Sequence, residues 1–209
     1  MPRVKPSRNI SNKSPAPQGK SGFVRIISGQ WKGRKLPVKD VEGLRPTTDR
    51  VKETIFNWLA PHVRGARCLD LFAGSGGLGL EALSRYAEQV TLVEMDKGAA
   101  DQIRKNLTAL GSSKGLVIQS DAVSWLQGPA TPFDLVFLDP PFRRELLPRV
   151  CDLLEQHGWL APDALSYLER EKEMADLTLP ASWQLLKNKQ AGQVCYQLYL
   201  REVSNEADV

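Results

Sequence analysis

The chain has little of what stabilises disulfide-rich or zinc-binding proteins, since its 209 residues include three cysteines and two histidines. Cys68, Cys151 and Cys195 lie far apart and form no C-x-x-C pair, which excludes a disulfide framework and argues against any bound metal. No stretch reaches the roughly 18 uncharged apolar residues that a membrane helix needs, and the sequence opens without an apolar signal segment. We therefore expect a cytoplasmic protein with no membrane partner.

What the sequence does have is an uneven charge. The net charge is +4, yet residues 1–65 carry fourteen Lys and Arg against four Asp and Glu, a balance of +10. Residues 66–209 carry fourteen against twenty, a balance of −6. A basic leading segment on a mildly acidic body is typical of a protein that binds a polyanion, because each neutralised phosphate releases counterions. The alternative is a solvated basic tail that only aids solubility.

Composition divides the chain into four parts. Residues 1–21 are rich in Pro, Ser, Asn and Lys, and they read as a flexible basic arm. Residues 22–64 predict a basic hairpin and a helix, residues 65–203 form the main domain, and residues 204–209 are a disordered tail. Strand and helix patterns alternate through the main domain, which predicts an α/β fold with a doubly wound, mostly parallel sheet.

Local signals define the boundaries of the predicted elements. Gly29 or Gly33 turns the hairpin, and Thr48 or Asp49 caps the following helix. The polar run K-N-K-Q-A-G-Q has the length of a hairpin loop, so the last two strands form an antiparallel edge pair. The main domain has predicted strands at 66–71, 90–94, 116–120, 133–139, 165–170, 183–187 and 194–200, and predicted helices at 77–86, 97–110, 121–126 and 145–157.

The strongest local signal is the segment D-L-F-A-G-S-G-G-L-G, which joins a strand to a helix. Gly74 and Gly76 let the backbone approach a ligand, and Gly79 lets the helix pack on the strand. Two ligands compete for this turn. The G-x-G-x-x-G spacing, with Glu94 twenty residues after Gly74, fits a nicotinamide dinucleotide. Asp70 favours S-adenosylmethionine instead, because a carboxylate suits a cationic amino-acid end better than a pyrophosphate.

Three acids stand at the C-terminal tips of three successive predicted strands. Asp70 precedes the glycines, Glu94 is expected to accept hydrogen bonds from both ribose hydroxyls, and Asp121 is expected to contact the adenine edge. The alternative is that these acids are helix N-caps, a role that Asp121 also fits. The predicted cofactor-binding residues are Asp70, Phe72, Ala73, Gly74, Gly76, Glu94, Met95, Asp121 and Ala122.

The second motif, D-P-P-F, follows a strongly apolar strand and occupies residues 139–142. Consecutive prolines stop the sheet and fix φ, which produces a rigid bend. The bend presents the Asp139 carboxylate and the Pro140 carbonyl as fixed acceptors beside the flat ring of Phe142. Two acceptors and a stacking platform suit an exocyclic amino group on a planar base. A plain strand-ending turn is the alternative.

Together the two motifs resemble the S-adenosylmethionine-dependent amino-group methyltransferases. The segments I-I-S-G-Q-W-K-G-R-K-L-P-V and L-R-P-T-T-D-R-V-K-E-T-I-F-N-W-L resemble one branch, the RsmD family, which methylates guanine N2 in bacterial small-subunit ribosomal RNA. The resemblance implies a seven-stranded Rossmann-like methyltransferase domain at residues 65–203 and an RNA-binding extension at residues 22–64. It also implies 16S ribosomal RNA or the assembling 30S particle as partner, and we expect a monomer.

The resemblance also assigns site residues by matching position. It makes Asp139, Pro140, Pro141 and Phe142 the catalytic loop, and it places the R-P-T-T-D-R segment beside the RNA. The alternatives are a DNA or other RNA amino-group methyltransferase, such as one acting on adenine N6, and an RNA-binding module with a vestigial crevice. The predicted RNA contacts are Arg25, Lys32, Arg34, Arg45, Thr47, Asp49, Arg50 and Arg143.

Overall fold

The computed structural model describes residues 22–39, 47–141, 146–173 and 177–202. The predicted arm and tail therefore lie outside the described residues. The described chain forms β1 (Phe23–Arg25), β2 (Lys35–Pro37), α1 (Asp49–Leu59), β3 (Arg67–Asp70), α2 (Gly77–Ser84), β4 (Gln89–Glu94), α3 (Lys97–Leu110), β5 (Gly115–Gln119), α4 (Ala122–Leu126), β6 (Phe133–Leu138), α5 (Leu146–Gln156), β7 (Leu160–Glu171), β8 (Trp183–Ala191) and β9 (Val194–Arg201).

Seven strands form one sheet in the order β5-β4-β3-β6-β7-β9-β8. The pairs among β3 to β7 are parallel, whereas β9 pairs antiparallel with both β7 and β8. The strand order reverses between β3 and β6, and ligand crevices open at such a switch point, outside the carboxyl ends of the strands. We call the end of the sheet at which the parallel strands β3 to β7 finish the carboxyl edge, and the end at which they start the amino edge. The predicted doubly wound sheet with an antiparallel edge pair is confirmed.

Two apolar cores cover the two faces of the sheet. One core contains α1, α2, α3 and the β1–β2 hairpin, and the other contains α4 and α5. Apolar runs such as Val90–Val93 are buried because helices cover both of their faces. All three cysteines are buried and unpaired, as small apolar side chains would be. In the described ranges, none of the helices combines the length and apolar character required to cross a bilayer.

The helices begin where short polar side chains can accept backbone hydrogen bonds. Thr48 caps α1, Asp96 caps α3 and Asp121 caps α4, each accepting an N–H group from the first turn. Of the two caps considered for α1, Thr48 is therefore the correct one. The ring of Phe56 contacts Phe137 late in β6, at 5.8 Å between centroids. Because the end of α1 leads into the start of β3, α1 descends from the carboxyl edge to the amino edge.

The predicted end of the edge strand β8 is wrong. The run K-N-K-Q-A-G-Q was predicted as a loop, yet β8 continues to Ala191 and pairs with β9 as far as Val194. The turn contains only Gly192, at φ +60°, and Gln193. The polar residues mislead because β8 is an edge strand and exposes nearly all of its side chains, so it needs no apolar alternation.

The N-terminal hairpin is docked on α2 through a buried glutamate. The carboxylate of Glu81 is fully buried and accepts hydrogen bonds from the backbone N–H groups of Ile27 (2.7 Å) and Ser28 (3.0 Å). The Glu81 Oε1 also forms an ion pair with Arg85 Nε at 2.7 Å. The side chain of Lys52, also buried, donates to the carbonyl of Arg25, and burial lowers the pKa of this lysine.

The end of the hairpin is held by the last turn of α2. Gln30 donates its backbone N–H to the carbonyl of Ser84 at 2.8 Å, and Trp31 donates its own to the Ser84 hydroxyl at 3.1 Å. Both candidate turn glycines have positive φ, +83° at Gly29 and +84° at Gly33. A Cβ on Gly29 would lie 1.8 Å from the Ser84 carbonyl oxygen, so only glycine permits this close approach.

The substitution Glu81→Ala is expected to lower the free energy of unfolding by about 3 kcal/mol. It leaves the N–H groups of the half-buried Ile27 and Ser28 without their acceptor, and it leaves Arg85 without its partner. Chemical denaturation measures the loss, and faster hydrogen exchange at the two amides shows that the hairpin has loosened.

The matched control is Glu88→Ala, which removes an exposed ion pair to Lys114 at 3.4 Å. Exposed pairs of this kind contribute less than about 1 kcal/mol, so this variant should unfold nearly as the unaltered protein does. Equal losses in the Glu81 and Glu88 variants would contradict the docking role of Glu81.

Candidate active site

The glycine-rich turn lies at the carboxyl edge, between β3 and α2. Gly74 has φ +53° and Gly76 has φ +77°, a left-handed conformation that favours glycine. Gly76 precedes the first residue of α2 and offers no side-chain cap. Ala73 is buried and Phe72 is half-buried against the α4–α5 core. The turn thus places the start of α2 beside the crevice, at the point where the strand order reverses.

Asp70, the last residue of β3, is a buried carboxylate in this crevice, with 2% of its surface exposed. Its Oδ2 accepts the backbone N–H of Gly79 at 2.9 Å. A Cβ on Gly79 would lie 2.6 Å from Leu92 Cδ2 of β4, which agrees with the close packing of helix on strand that the sequence led us to expect. Burial raises the pKa of Asp70 to about 7, the Gly79 bond lowers it, and the charges of Asp139 and Glu94 raise it further.

Glu94 ends β4 and holds the loops on both sides of the crevice. Its Oε2 accepts the N–H of Gly74 at 2.7 Å, and its Oε1 accepts the N–H of Asp96, also at 2.7 Å. Burial raises the pKa of Glu94, although the backbone bonds oppose the shift. Met95 follows with 57% of its surface exposed, a large apolar side chain next to the acid.

Asp121 follows β5, the outermost strand on this side of the sheet. It is exposed and its Oδ1 accepts the N–H of Ser124 at 2.9 Å, which caps α4. The capping role that the sequence left open is therefore present. Ala122, the first residue of α4, is buried beneath it.

Asp139 directly follows β6 and begins the proline-stiffened bend. It is half-buried, Pro140 is buried and Pro141 is exposed. Burial raises the pKa of Asp139 to about 7. Phe142 and Arg143 lie outside the described residues, so their predicted roles stay predictions.

Sequence reasoning missed two site residues on the neighbouring strand β7. Tyr167 is fully buried and Glu169 is 7% exposed, and the Tyr167 hydroxyl donates to Glu169 Oε1 at 2.8 Å. Burial raises the pKa of Glu169 to about 8, and the charge of Asp139 raises it further. A signal was available in the sequence, because Glu169 is an acid that directly follows the mostly apolar run Ala164–Leu168, although β7 continues for two residues beyond it.

Four acids therefore stand side by side on one face of the sheet. Glu94 and Asp70 end β4 and β3, Asp139 follows β6, and Glu169 lies two residues before the end of β7, all on the face that α1 covers. Within the described ranges, none of them forms an ion pair with Lys, Arg or His. Nor do the described residues include a metal-ligand cluster. Buried carboxylates without a cation are costly to ionise, so the site favours a positively charged ligand.

Some of the predicted RNA contacts gather near this edge. Thr47, Asp49 and Arg50 stand at the start of α1, which lies at the carboxyl edge, and all three are exposed or half-buried. Arg25 joins them through an ion pair to Asp49 at 3.8 Å, with both side chains about half exposed. Arg45 lies outside the described residues.

The structure separates the remaining predicted contacts from the crevice. Arg34 donates from Nη2 to the carbonyl of Ala109 at 3.1 Å, in the last turn of α3. Lys32 lies in the hairpin turn beside the end of α2. Both helices run from the carboxyl edge to the amino edge, and the fourteen residues of α3 span roughly 20 Å. The two side chains are therefore about one helix length away from Asp139.

Known proteins share this architecture. The family model described as "Conserved hypothetical protein 95" matches residues 24–200. Ribosomal RNA small subunit methyltransferase D of Escherichia coli is 57% identical over 188 residues, covering 90% of this chain and 95% of that protein. The protein of the same name from Haemophilus influenzae is 52% identical over 182 residues, covering 85% and 94%.

A solved structure gives the same result. That of yhhF from Escherichia coli has a TM-score of 0.83 and 55% identity, covering 88% of this chain and all of that one. The seven-stranded sheet with its antiparallel edge pair is the class I methyltransferase fold. The resemblance noted in the sequence is confirmed, and the chain belongs to the Conserved hypothetical protein 95 family, that of the RsmD methyltransferases.

Proposed function

We propose that the chain transfers a methyl group from S-adenosylmethionine to the exocyclic N2 amine of a guanine in small-subunit ribosomal RNA. The observation that carries the proposal is the juxtaposition of Asp70, Glu94 and the D-P-P bend at one switch point. The 57% identity to a protein named ribosomal RNA small subunit methyltransferase D supports the substrate class.

The crevice has the chemistry that the methyl donor requires. When bound, S-adenosylmethionine supplies an electrophilic methyl group on a positively charged sulfur. Asp70 would hold its cationic amino-acid end, since no cation of the described chain pairs with this buried carboxylate. Glu94 would accept the ribose hydroxyls, because a carboxylate offers about four acceptor sites and two hold backbone N–H groups. Asp121 would receive the adenine edge.

Met95 and Phe72 would add apolar contacts to the nucleoside. Met95 exposes more than half of its surface beside Glu94, although a large apolar side chain is more often buried. Phe72 lies half-buried next to Ala73 in the glycine-rich turn. These placements explain exposed apolar surface at the mouth of an otherwise acidic crevice.

Asp139 and Pro140 would position the amine. The lone pair of an exocyclic amine is delocalised into the base, so the nitrogen is a weak nucleophile. Two acceptors that bind its hydrogens direct the lone pair at the methyl group, and the proline-fixed bend holds both acceptors in place. A base inside a duplex cannot reach this bend, so the target must be unpaired or flipped out.

The RNA would approach along two surfaces. Arg25, Arg50 and the start of α1 would contact the nucleotides next to the target, because they flank the carboxyl edge. Arg34 would bind phosphates farther along the RNA, roughly 20 Å from the crevice, and Lys32 would bind phosphates beside the end of α2. Residues 22–64 then act as an RNA-binding extension of the catalytic domain at 65–203, although the two share one core.

The proposal is tested by incubating the protein with labelled S-adenosylmethionine and ribosomal RNA, 30S particles or duplex DNA. Label on guanine N2 of the small-subunit RNA, mapped by mass spectrometry, is the expected result. Label on DNA or on adenine would show that the chain is another kind of amino-group methyltransferase. RNA binding without transfer would overturn the proposed activity.

Loss of the amine acceptor should abolish turnover. Asp139→Ala is expected to reduce kcat by about 10²–10³-fold, because a preorganised acceptor in the transition state is removed. RNA affinity should stay nearly unchanged, as measured by filter binding. Asp139→Asn, which keeps one acceptor oxygen, should lose less activity than Asp139→Ala, and full turnover in Asp139→Ala would show that the assigned loop is wrong.

Binding of the methyl donor should depend on pH through Asp70. The pKa of this carboxyl is raised to about 7, so the group is neutral below pH 7 and ionised above it. A cationic ligand prefers the ionised form, and its Kd should fall by up to about tenfold per pH unit from pH 5 to 7, then level off. Calorimetry at several pH values measures this dependence.

The variant Asp70→Asn retains an acceptor for the Gly79 N–H and should bind weakly, with most of the pH dependence gone. Asp101→Asn is the matched control, because Asp101 is an exposed carboxyl whose pKa is lowered by its hydrogen bond to Lys97. Its binding curve should follow that of the unaltered protein. A Kd that does not change with pH in the unaltered protein would contradict the assignment of Asp70.

A further inference from the structure

The edge strand β8 carries two lysines to which the proposed reaction gives no role. Lys187 and Lys189 are both exposed, and neither forms an ion pair with another residue of the described chain. The β8–β9 hairpin, residues 183–201, contains three Lys and Arg and no Asp or Glu. It is therefore a basic strip on a domain whose net charge is negative.

Both lysines lie on the face of the sheet that carries the acids. In the pairing of β8 with β9, Lys187 stands opposite Leu198 and Lys189 stands opposite Tyr196. Residues that are directly opposite in an antiparallel pair share a face, and both partners belong to the core that α1 covers. Asn188, between the two lysines, is uncharged and faces the other way. Lysines that only keep an edge strand from pairing with another chain would serve equally well on either face.

The backbone of Lys189 is level with the proline-stiffened bend. Its partner Tyr196 pairs in turn with Glu169 of β7, and the register of β6 and β7 places Glu169 beside Asp139. Three steps across the sheet separate Lys189 from Asp139, because the strands lie in the order β6-β7-β9-β8. At about 4.8 Å for each step the distance is about 14 Å, so Lys189 stands within a few nucleotides of a base held at the bend.

Helix α1 holds the side chain of Lys189 in place. The Nζ of Lys189 donates to Thr54 Oγ1 at 3.3 Å, and the Thr54 hydroxyl donates to the carbonyl of Arg50 at 3.1 Å. Side chains four residues apart share one side of a helix, so the exposed Arg50 lies on the side of α1 that Lys189 approaches. Neither cation forms an ion pair with Glu53 or with any other acid of the described chain. Two positive charges are thus gathered here without a carboxylate to neutralise them.

The proposed methyl donor occupies the other half of the sheet. Asp70, Glu94 and Asp121 end or follow β3, β4 and β5, which lie on one side of β6. Strands β7, β9 and β8 lie on the other side of β6. An RNA whose base reaches Asp139 must leave the donor side free, so its backbone passes over the half of the sheet that ends at β8.

We infer that Lys187 and Lys189, together with Arg50, form a third RNA-binding surface, which holds phosphates next to the target guanine. The inference rests on the proposed function. A lysine binds phosphate as a point charge and reads no base, so this surface positions the RNA and does not select its sequence. It is nearer to the bend than Arg34, which lies at the far end of α3.

The salt dependence of RNA binding tests the inference in the variant Lys189→Gln. Loss of one phosphate contact should reduce the slope of log Kd against log salt by about 0.7, and it should raise the Kd for the methylated RNA roughly fourfold in about 0.15 M salt. The KM for RNA should rise by the same factor. The kcat at saturating RNA should stay unchanged, because the contact is equally strong before and during the reaction.

Lys114→Gln is the matched control, because Lys114 is an exposed lysine just before β5, at the amino edge. Its Kd and salt slope should follow those of the unaltered protein. An unchanged Kd and slope in Lys189→Gln, or an equal weakening in Lys114→Gln, would overturn the inference and leave the proposed function intact. Absence of RNA binding and of methyl transfer by the unaltered protein would instead overturn the proposed function, and the inference with it.

Chemical acetylation of lysines gives a second measurement, which needs no substitution. Bound RNA should slow the acetylation of Lys187 and Lys189 several-fold, as followed by mass spectrometry, and it should leave the rate at Lys114 unchanged. Lysines that serve only to protect the edge strand would react equally fast with and without RNA. Equal rates at Lys187 and Lys189 in the two states would therefore overturn the inference.

Discussion

The site depends on one constraint: carboxylates lie buried or half-buried near the ends of neighbouring parallel strands, and no cation among the described residues forms an ion pair with them. Glu94, Asp70, Asp139 and Glu169 occupy four adjacent strands, and burial raises the pKa of each. Backbone N–H groups partly stabilise Asp70 and Glu94. The remaining cost of ionisation favours a ligand that brings its own positive charge.

The N-terminal segment and the catalytic domain are a single folded unit. Glu81 and Ser84 of α2 accept hydrogen bonds from the hairpin, and α1 covers the sheet next to the acids. A basic surface on a loosely tethered module would sample many orientations. Docking instead fixes the distance between the basic hairpin turn and the carboxyl edge, so the two proposed RNA-binding surfaces keep a constant separation.

Much of this architecture could be predicted from the sequence. The strand-turn-helix sequence around Gly74 and the prolines after Asp139 strongly restrict the local backbone conformation. Both segments lie where the sequence led us to expect them. Polarity misled at β8, because an edge strand can expose both of its faces. The position of Arg34 could not be predicted either, since the path of the hairpin depends on contacts more than fifty residues apart in sequence.

The position of Glu169 shows why the sequence pattern alone does not reveal the complete site. An acid in an apolar strand is visible in the sequence, but its neighbour across the sheet follows from the register between β6 and β7. Nothing local encodes that register. The cluster therefore emerges only once the parallel strands are aligned, and its electrostatics follow from that alignment.

The most direct test of the central claim is a crystal structure of the protein with S-adenosylhomocysteine, the demethylated product. The account predicts the amino-acid end of the ligand at Asp70, its ribose hydroxyls on the Glu94 carboxylate, and its sulfur facing Asp139 across the switch point. A ligand bound away from the carboxyl edge, or bound there with its charged end remote from Asp70, would contradict the account.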